Sequence, residues 1–139
     1  MVVRAIAVLA VLFASAEAHA ATVTIDVIVE SDEGRVVCVL FGSADGFPMK
    51  QQKAKARSTA TPKSKKAVCT FKDVPAGGYA AIAFHDRNKN RELDTNWVGM
   101  PKEPVGASNG AKGTMGPPSF EDARFSVSDA GAKQTIRLR

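Results

Sequence analysis

The sequence predicts an all-β sandwich, and three observations predict it. Short apolar or alternating runs recur at 22–30, 35–41, 67–71, 79–85, 122–128 and 134–139. Gly, Pro, Asn and Asp cluster between them. No stretch carries a long apolar stripe at helical spacing. Short strands punctuated by turn residues are the pattern of two packed sheets, with about seven strands in a typical domain.

The strands follow in order. In "TVTIDVIVE" (22–30), Val23, Ile25, Val27 and Val29 share one face while Thr22, Thr24, Asp26 and Glu30 share the other. That is a half-buried strand. "RVVCVLF" (35–41) is continuously apolar, as a central strand is. With "SDEG" between them, the two read as a hairpin. "AVCTF" (67–71) and "YAAIAFH" (79–85) are strands around the Pro/Gly turn "KDVPAGG", and Ile82 and Phe84 share a face. "DARFSVS" (122–128) alternates through Ala123, Phe125 and Val127, and "QTIRLR" closes the chain with Ile136 and Leu138 inward. The polar stretches 42–66 and 86–119 are long excursions, and surface excursions are where function concentrates. A short helix fits 48–57, "PMKQQKAKAR".

The segment 1–20 reads as a signal peptide. Arg4 precedes an apolar stretch from Ala5 to Ala14, and Ala18-His19-Ala20 forms an A-x-A cleavage pattern. The stretch is shorter than the roughly 20 residues a membrane-spanning helix needs. Cleavage after Ala20 leaves 139 − 20 = 119 residues, one domain (21–139) with no transmembrane segment. The expected location is periplasmic or secreted.

Export colours the cysteines. Cys38 and Cys69 are the two in the chain. In an oxidising compartment an even pair points to a disulfide, worth on the order of 3 kcal/mol through loop closure. Two buried free thiols are the alternative. No C-x-x-C occurs, so thiol redox catalysis is not expected.

A family resemblance rests on particular segments. "FGSADGFP", "DVPAGGYAAIAFHDRNKNRELDTNWVGMPKEPVGASN" and "GPPSFEDARF" resemble the exported bacterial family catalogued as domain of unknown function 2141. The resemblance covers essentially the whole chain after Ala20. It implies a single immunoglobulin-like or transthyretin-like (prealbumin-like) β-sandwich with long surface loops. It implies no activity, because the family is defined without one. The family pattern often reads D-x-N-x-N-G-x-L-D; here its glycine position is Arg91.

That pattern lies in "FHDRNKNRELDTNW", residues 84–97. As a calcium loop it puts Asp86, Asn88 and Asn90 at positions 1, 3 and 5, the Glu92 carbonyl at 7 and Asp94 at 9. Calcium takes about six to eight oxygen ligands, which alternating Asp and Asn supply. Against it stand Arg91 where the turn glycine belongs, Trp97 where the bidentate Glu belongs, and interleaved Arg87, Lys89 and Arg91. The competing reading is an Asx-bonded turn without metal.

Other chemistry is sparse. After cleavage His85 is the remaining histidine, which excludes a His-rich zinc site. A hydrolase triad of His85, Asp94 and Ser119 requires the excursions to bring them together. Lys50, Lys53, Lys55, Arg57, Lys63, Lys65 and Lys66 put seven cations and no acid into the segment 50–66, in a chain of net charge +5. Such a run suits an anionic surface or polyanion; a solvated mobile loop is the competing reading. No aromatic interleaves with it, so sequence-specific nucleic acid is not expected. The functional expectation is an exported non-enzymatic binding or structural module working through loops 86–119 and the basic segment 50–66. A small hydrolase using His85 and nearby carboxylates is the alternative.

Overall fold

The computed structural model describes residues 10–12 and 20–139, so the expected signal peptide lies almost wholly outside the described residues. Among the described residues, eight strands form two sheets with almost no helix. They are β1 (Ala21–Ile28), β2 (Arg35–Phe41), β3 (Ala56–Ala60), β4 (Lys66–Val74), β5 (Gly77–Asp86), β6 (Val105–Ala107), β7 (Phe125–Val127) and β8 (Ala132–Arg137). One sheet has the order β4-β1-β8; the other has β3-β2-β5-β6, with β7 paired to β5.

The strands predicted from periodicity are present, with three corrections. First, β1 and β2 are not a hairpin. β1 pairs antiparallel with β4 and parallel with β8, while β2 pairs antiparallel with β3 and β5. The reason lies in the burial pattern. Both faces of β2 are buried, so it needs a layer above and a layer below. β1 belongs to the opposite sheet and supplies one of those layers.

Second, β3 lies inside the basic stretch, and no helix spans 48–57; only a 3-10 turn, Gln51–Lys53, is there. The small residues of β3, Ala56, Ser58 and Ala60, face inward, a weak apolar signal that the flanking lysines mask. β6 is the other strand that periodicity missed, being only three residues long. Together they bring the count to eight.

Third, the strand expected from 122 begins at Phe125 instead. Residues Phe120–Ala123 form a helical turn, α1. The Ser119 hydroxyl caps it by accepting from the Asp122 N–H at 3.1 Å. Glu121 and Asp122 in its first turn favour the same end.

Alternation sorts the buried residues into two clusters. Between the sheets lie Val23, Ile25 and Val27 of β1, Val36, Cys38 and Leu40 of β2, Ala81 and Ala83 of β5, and Ile136 of β8. Cys38 and Cys69 form a disulfide from β2 to β4 across this core, with Cα atoms 6.3 Å apart. The outer face of the larger sheet carries Val37, Val39, Phe41, Ile82 and Phe84. The excursions cover that face: Phe47, Leu93 and Phe120 pack on it. Phe47 meets Phe41 and Phe120 edge to face at 5.2 and 5.9 Å. The two long excursions are therefore anchored to the sheet by apolar residues.

Candidate cation site at the exit of β5

β5 ends in two buried polar residues, His85 and Asp86, each fully inaccessible to solvent. Strand alternation turns them to opposite faces. The His85 ring Nε2 meets the Glu33 carbonyl in the connection between β1 and β2. Asp86 faces the excursion and organises it. Its Oδ1 accepts from the Asn90 N–H at 3.1 Å and its Oδ2 from the Arg91 N–H at 2.7 Å.

The alternating side chains continue the curl. Asn88 Oδ1 accepts from the Asn90 N–H at 3.3 Å, and Asn90 Oδ1 accepts from the Glu92 N–H at 3.0 Å. The amide nitrogens turn to one carboxylate: Asn88 Nδ2 donates to Asp94 Oδ2 at 2.6 Å and Asn90 Nδ2 to Asp94 Oδ1 at 2.8 Å. Four of the five residues read as calcium ligands, Asp86, Asn88, Asn90 and Asp94, are thus drawn into one hydrogen-bonded loop. Glu92 takes part through its backbone, and its side chain is exposed. Arg91 makes the sharp turn in the left-handed region at φ 65°, and Lys89 does the same at φ 58°. A glycine is therefore not required for the turn; strain in an arginine replaces it.

Glu103 is the member that spacing did not reveal. The His85 N–H donates to the Pro104 carbonyl at 2.9 Å, which extends the β5–β6 pairing and brings Glu103 back beside the loop. The Lys102 N–H donates to the Asp94 carbonyl at 2.7 Å, which closes the base of the intervening turn. Both Glu103 carboxylate oxygens are buried and lack a hydrogen-bond donor. Desolvation first, then contact with Asp94 and the charges of Asp94 and Asp86, push the Glu103 carboxyl up to about 7. Asp94 is held below the usual range, first by Glu103 and then by the Asn90 and Asn88 amides. Two carboxylates meeting without a donor between them need a shared proton or a cation. A sequence reader looking for the last ligand at Trp97 would not find it. Glu103 lies beyond the reach of any loop spacing from Asp86 and joins the loop only through strand pairing.

The carboxylates alone do not make a metal cage. Among the described residues no group of three His, Cys, Asp or Glu lies close enough to hold a metal. The Asn88 and Asn90 amides turn their nitrogens to Asp94, and their oxygens accept from backbone N–H groups of the loop. A cavity of about 410 Å³ opens here, lined by Arg87, Asn88, Asp94, Thr95, Lys102 and Glu103.

The other sequence candidates lie apart. Asp94 is engaged with the amides, Ser119 caps α1, and His85 contacts Glu33, so the three do not hydrogen-bond as a triad. The seven cations from 50 to 66 are all exposed but divide between two ends of β3. Ala56 sits opposite Leu40 and Ala60 opposite Val36. Lys50, Lys53 and Lys55 precede the first end, and Lys53 pairs with Asp45 at 3.1 Å. Lys63, Lys65 and Lys66 follow the second, in a turn where Asp32 accepts from the Ser64 and Lys65 N–H groups at 3.1 and 2.6 Å. Arg57, between them, donates to the Arg91 carbonyl and ties β3 to the loop.

No curated protein and no solved structure matches the chain. A family model described as an uncharacterized protein conserved in bacteria (DUF2141) matches residues 23–136. That span takes in both sheets, the disulfide and the whole 86–103 loop, and the chain belongs to this family.

Proposed function

We propose that the chain is an exported, non-enzymatic binding module with an immunoglobulin-like or transthyretin-like sandwich, whose loop 86–103 holds a calcium ion. The working surface is the excursion 86–119 together with the neighbouring cations. One observation carries the cation: Glu103 has a buried carboxylate with no donor, facing Asp94 across a loop of oriented Asp and Asn side chains. Asn88, Asn90, Asp94, Glu103 and the Glu92 carbonyl would hold it, while Asp86, whose two oxygens accept from the Asn90 and Arg91 N–H groups, shapes the loop. Holding the ion would require the Asn88 and Asn90 amides, whose nitrogens face Asp94, to present their oxygens instead. Magnesium fits less well, because it demands a tight octahedron and sheds water reluctantly.

The disulfide across the core supports an oxidising location. The test of the cation is a melting series in chelator, in millimolar calcium and in millimolar magnesium. Calcium at about 100 times its dissociation constant stabilises a binding protein by about 2.7 kcal/mol. Identical melting in chelator and calcium rejects the site. N-terminal sequencing of protein from the native envelope tests export: a start at Ala21 is expected.

A further inference from the structure

Between Asp94 and Glu103 the excursion makes a compact turn that presents apolar side chains to water. Thr95 bridges to Pro101, the Asn96 N–H donates to the Met100 carbonyl at 2.8 Å, and the Gly99 N–H donates to the Asn96 carbonyl at 2.9 Å. Asn96 Oδ1 also accepts from the Val98 and Met100 N–H groups at 3.0 and 2.9 Å. This network holds the backbone, so the exposed side chains are displayed from a defined turn. Trp97 is 95% exposed, Met100 61% and Val98 57%. Trp97 is the sole tryptophan in the chain, and a tryptophan this exposed has no role in the core.

The charges around this turn are sorted. Residues 86–103 contain four cations, Arg87, Lys89, Arg91 and Lys102, and four acids, Asp86, Glu92, Asp94 and Glu103. All four cations are exposed. Of the acids only Glu92 is exposed; Asp86 is buried, and Asp94 and Glu103 are partly buried in the loop. The outward face is therefore cationic although the sum is zero. Val36 pairs with both Ala60 and His85, so the turn bearing Lys63, Lys65 and Lys66 leaves the sheet at the same end as the excursion.

We infer that the Trp97–Met100 turn docks on an anionic phospholipid surface, with Trp97, Val98 and Met100 entering the interface and the surrounding cations meeting headgroup phosphates. The charge complementarity selects this occupant. The apolar residues stand on a tight turn, not in a groove that would receive a peptide. Tryptophan prefers the water–lipid boundary, where its ring is half apolar and its N–H stays hydrated. Apolar burial and cationic attraction add in such binding, and neither suffices alone. The inference rests on the proposed reading of 86–119 as the working surface but not on its cation.

The test uses the exported form of the protein and vesicles of phosphatidylcholine with and without phosphatidylglycerol, in chelator and in millimolar calcium. The emission of Trp97 reports directly on its own surroundings. Vesicles containing phosphatidylglycerol should shift it to shorter wavelength, and high salt should weaken the effect. A variant with Met100→Ser keeps the reporter and should partition at least about tenfold less. Sedimentation of Trp97→Ser with the same vesicles should fall similarly. Both variants alter exposed residues, and melting confirms that the fold is retained. An unshifted Trp97 emission with phosphatidylglycerol vesicles in both solutions overturns the inference. So does an emission shift produced by raising protein concentration without lipid, which makes the turn a contact between proteins. The melting response to calcium is read separately, so a failed cation site and a failed lipid contact are told apart.

Discussion

Glu103 meets Asp94 with both of its carboxylate oxygens buried and without a donor, far along the chain from Asp86, which opens the loop. The pair is repulsive unless something positive lies between. Replacing Glu103 by Gln removes one charge and supplies an N–H for Asp94. In chelator, Glu103→Gln should be more stable than wild type by on the order of 1 kcal/mol. In calcium it should lose the added stability of wild type. Melting of both proteins in both solutions checks this; a wild-type calcium response retained in the variant removes Glu103 from the site.

The same pair sets a pH dependence in chelator. The Glu103 carboxyl is raised in the folded protein from 4.5 to about 7. The folded state then binds the proton more tightly than the unfolded chain. Its stabilising contribution is complete below 4.5 and is lost as pH rises through about 7. Asp94 is shifted the other way from 3.8, so its effect falls on the acid side of that window. Denaturant titrations at intervals across the window should show wild type losing stability relative to Glu103→Gln. Parallel curves contradict the assignment.

Arg91 and Gly34 occupy the same left-handed region, at φ 65° and φ 64°, yet substitution should act oppositely. Arg91 is exposed and strained, so Arg91→Gly should stabilise by on the order of 1 kcal/mol. It also removes a cation from the loop and should tighten calcium binding. A Cβ at Gly34 would collide with the Asp86 carbonyl and lie 2.7 Å from Arg87 Cα. Gly34→Ala should therefore destabilise by roughly 2 kcal/mol or more. Chemical denaturation of the two variants reads the difference in sign.

Ser108 is a buried hydroxyl that fastens the excursion just after β6. It accepts from the Ala81 N–H at 3.0 Å and donates to the Ala123 carbonyl at 2.5 Å. It thereby joins β5 to α1. Ser108→Ala leaves the Ala81 donor without its partner and should cost about 1–3 kcal/mol. Hydrogen exchange at Ala81 should quicken with it. Unaltered exchange there would mean that another acceptor takes over.

The disulfide links the two sheets at fully buried positions, Cys38 in β2 and Cys69 in β4. Replacing both by Ala should lower stability by about 3 kcal/mol while the sheets keep their order. Intact mass with and without reductant verifies the bond, and denaturation of the double variant measures its contribution.

The strand set was legible wherever burial followed a simple period. Val23, Ile25 and Val27 alternate, and the continuous run 35–41 marks a strand covered on both faces. Those patterns are local and require only that one face or both avoid water. The same holds for Asp86, Asn88, Asn90 and Asp94, whose even spacing is written in one short loop. Pairing is different in kind. That β1 joins β4 and β8 instead of β2 depends on which layer covers which, and no residue in 29–34 encodes it alone. β3 was hidden because Ala56, Ser58 and Ala60 are small and its lysine neighbours dominate the composition. Glu103 was hidden because its role depends on the His85 N–H reaching the Pro104 carbonyl, a contact between distant residues. The residue types and their periods thus determined the elements and four members of the loop. Only the tertiary structure decided the partners, since a long-range hydrogen bond and a buried charge exist only once the chain has returned on itself.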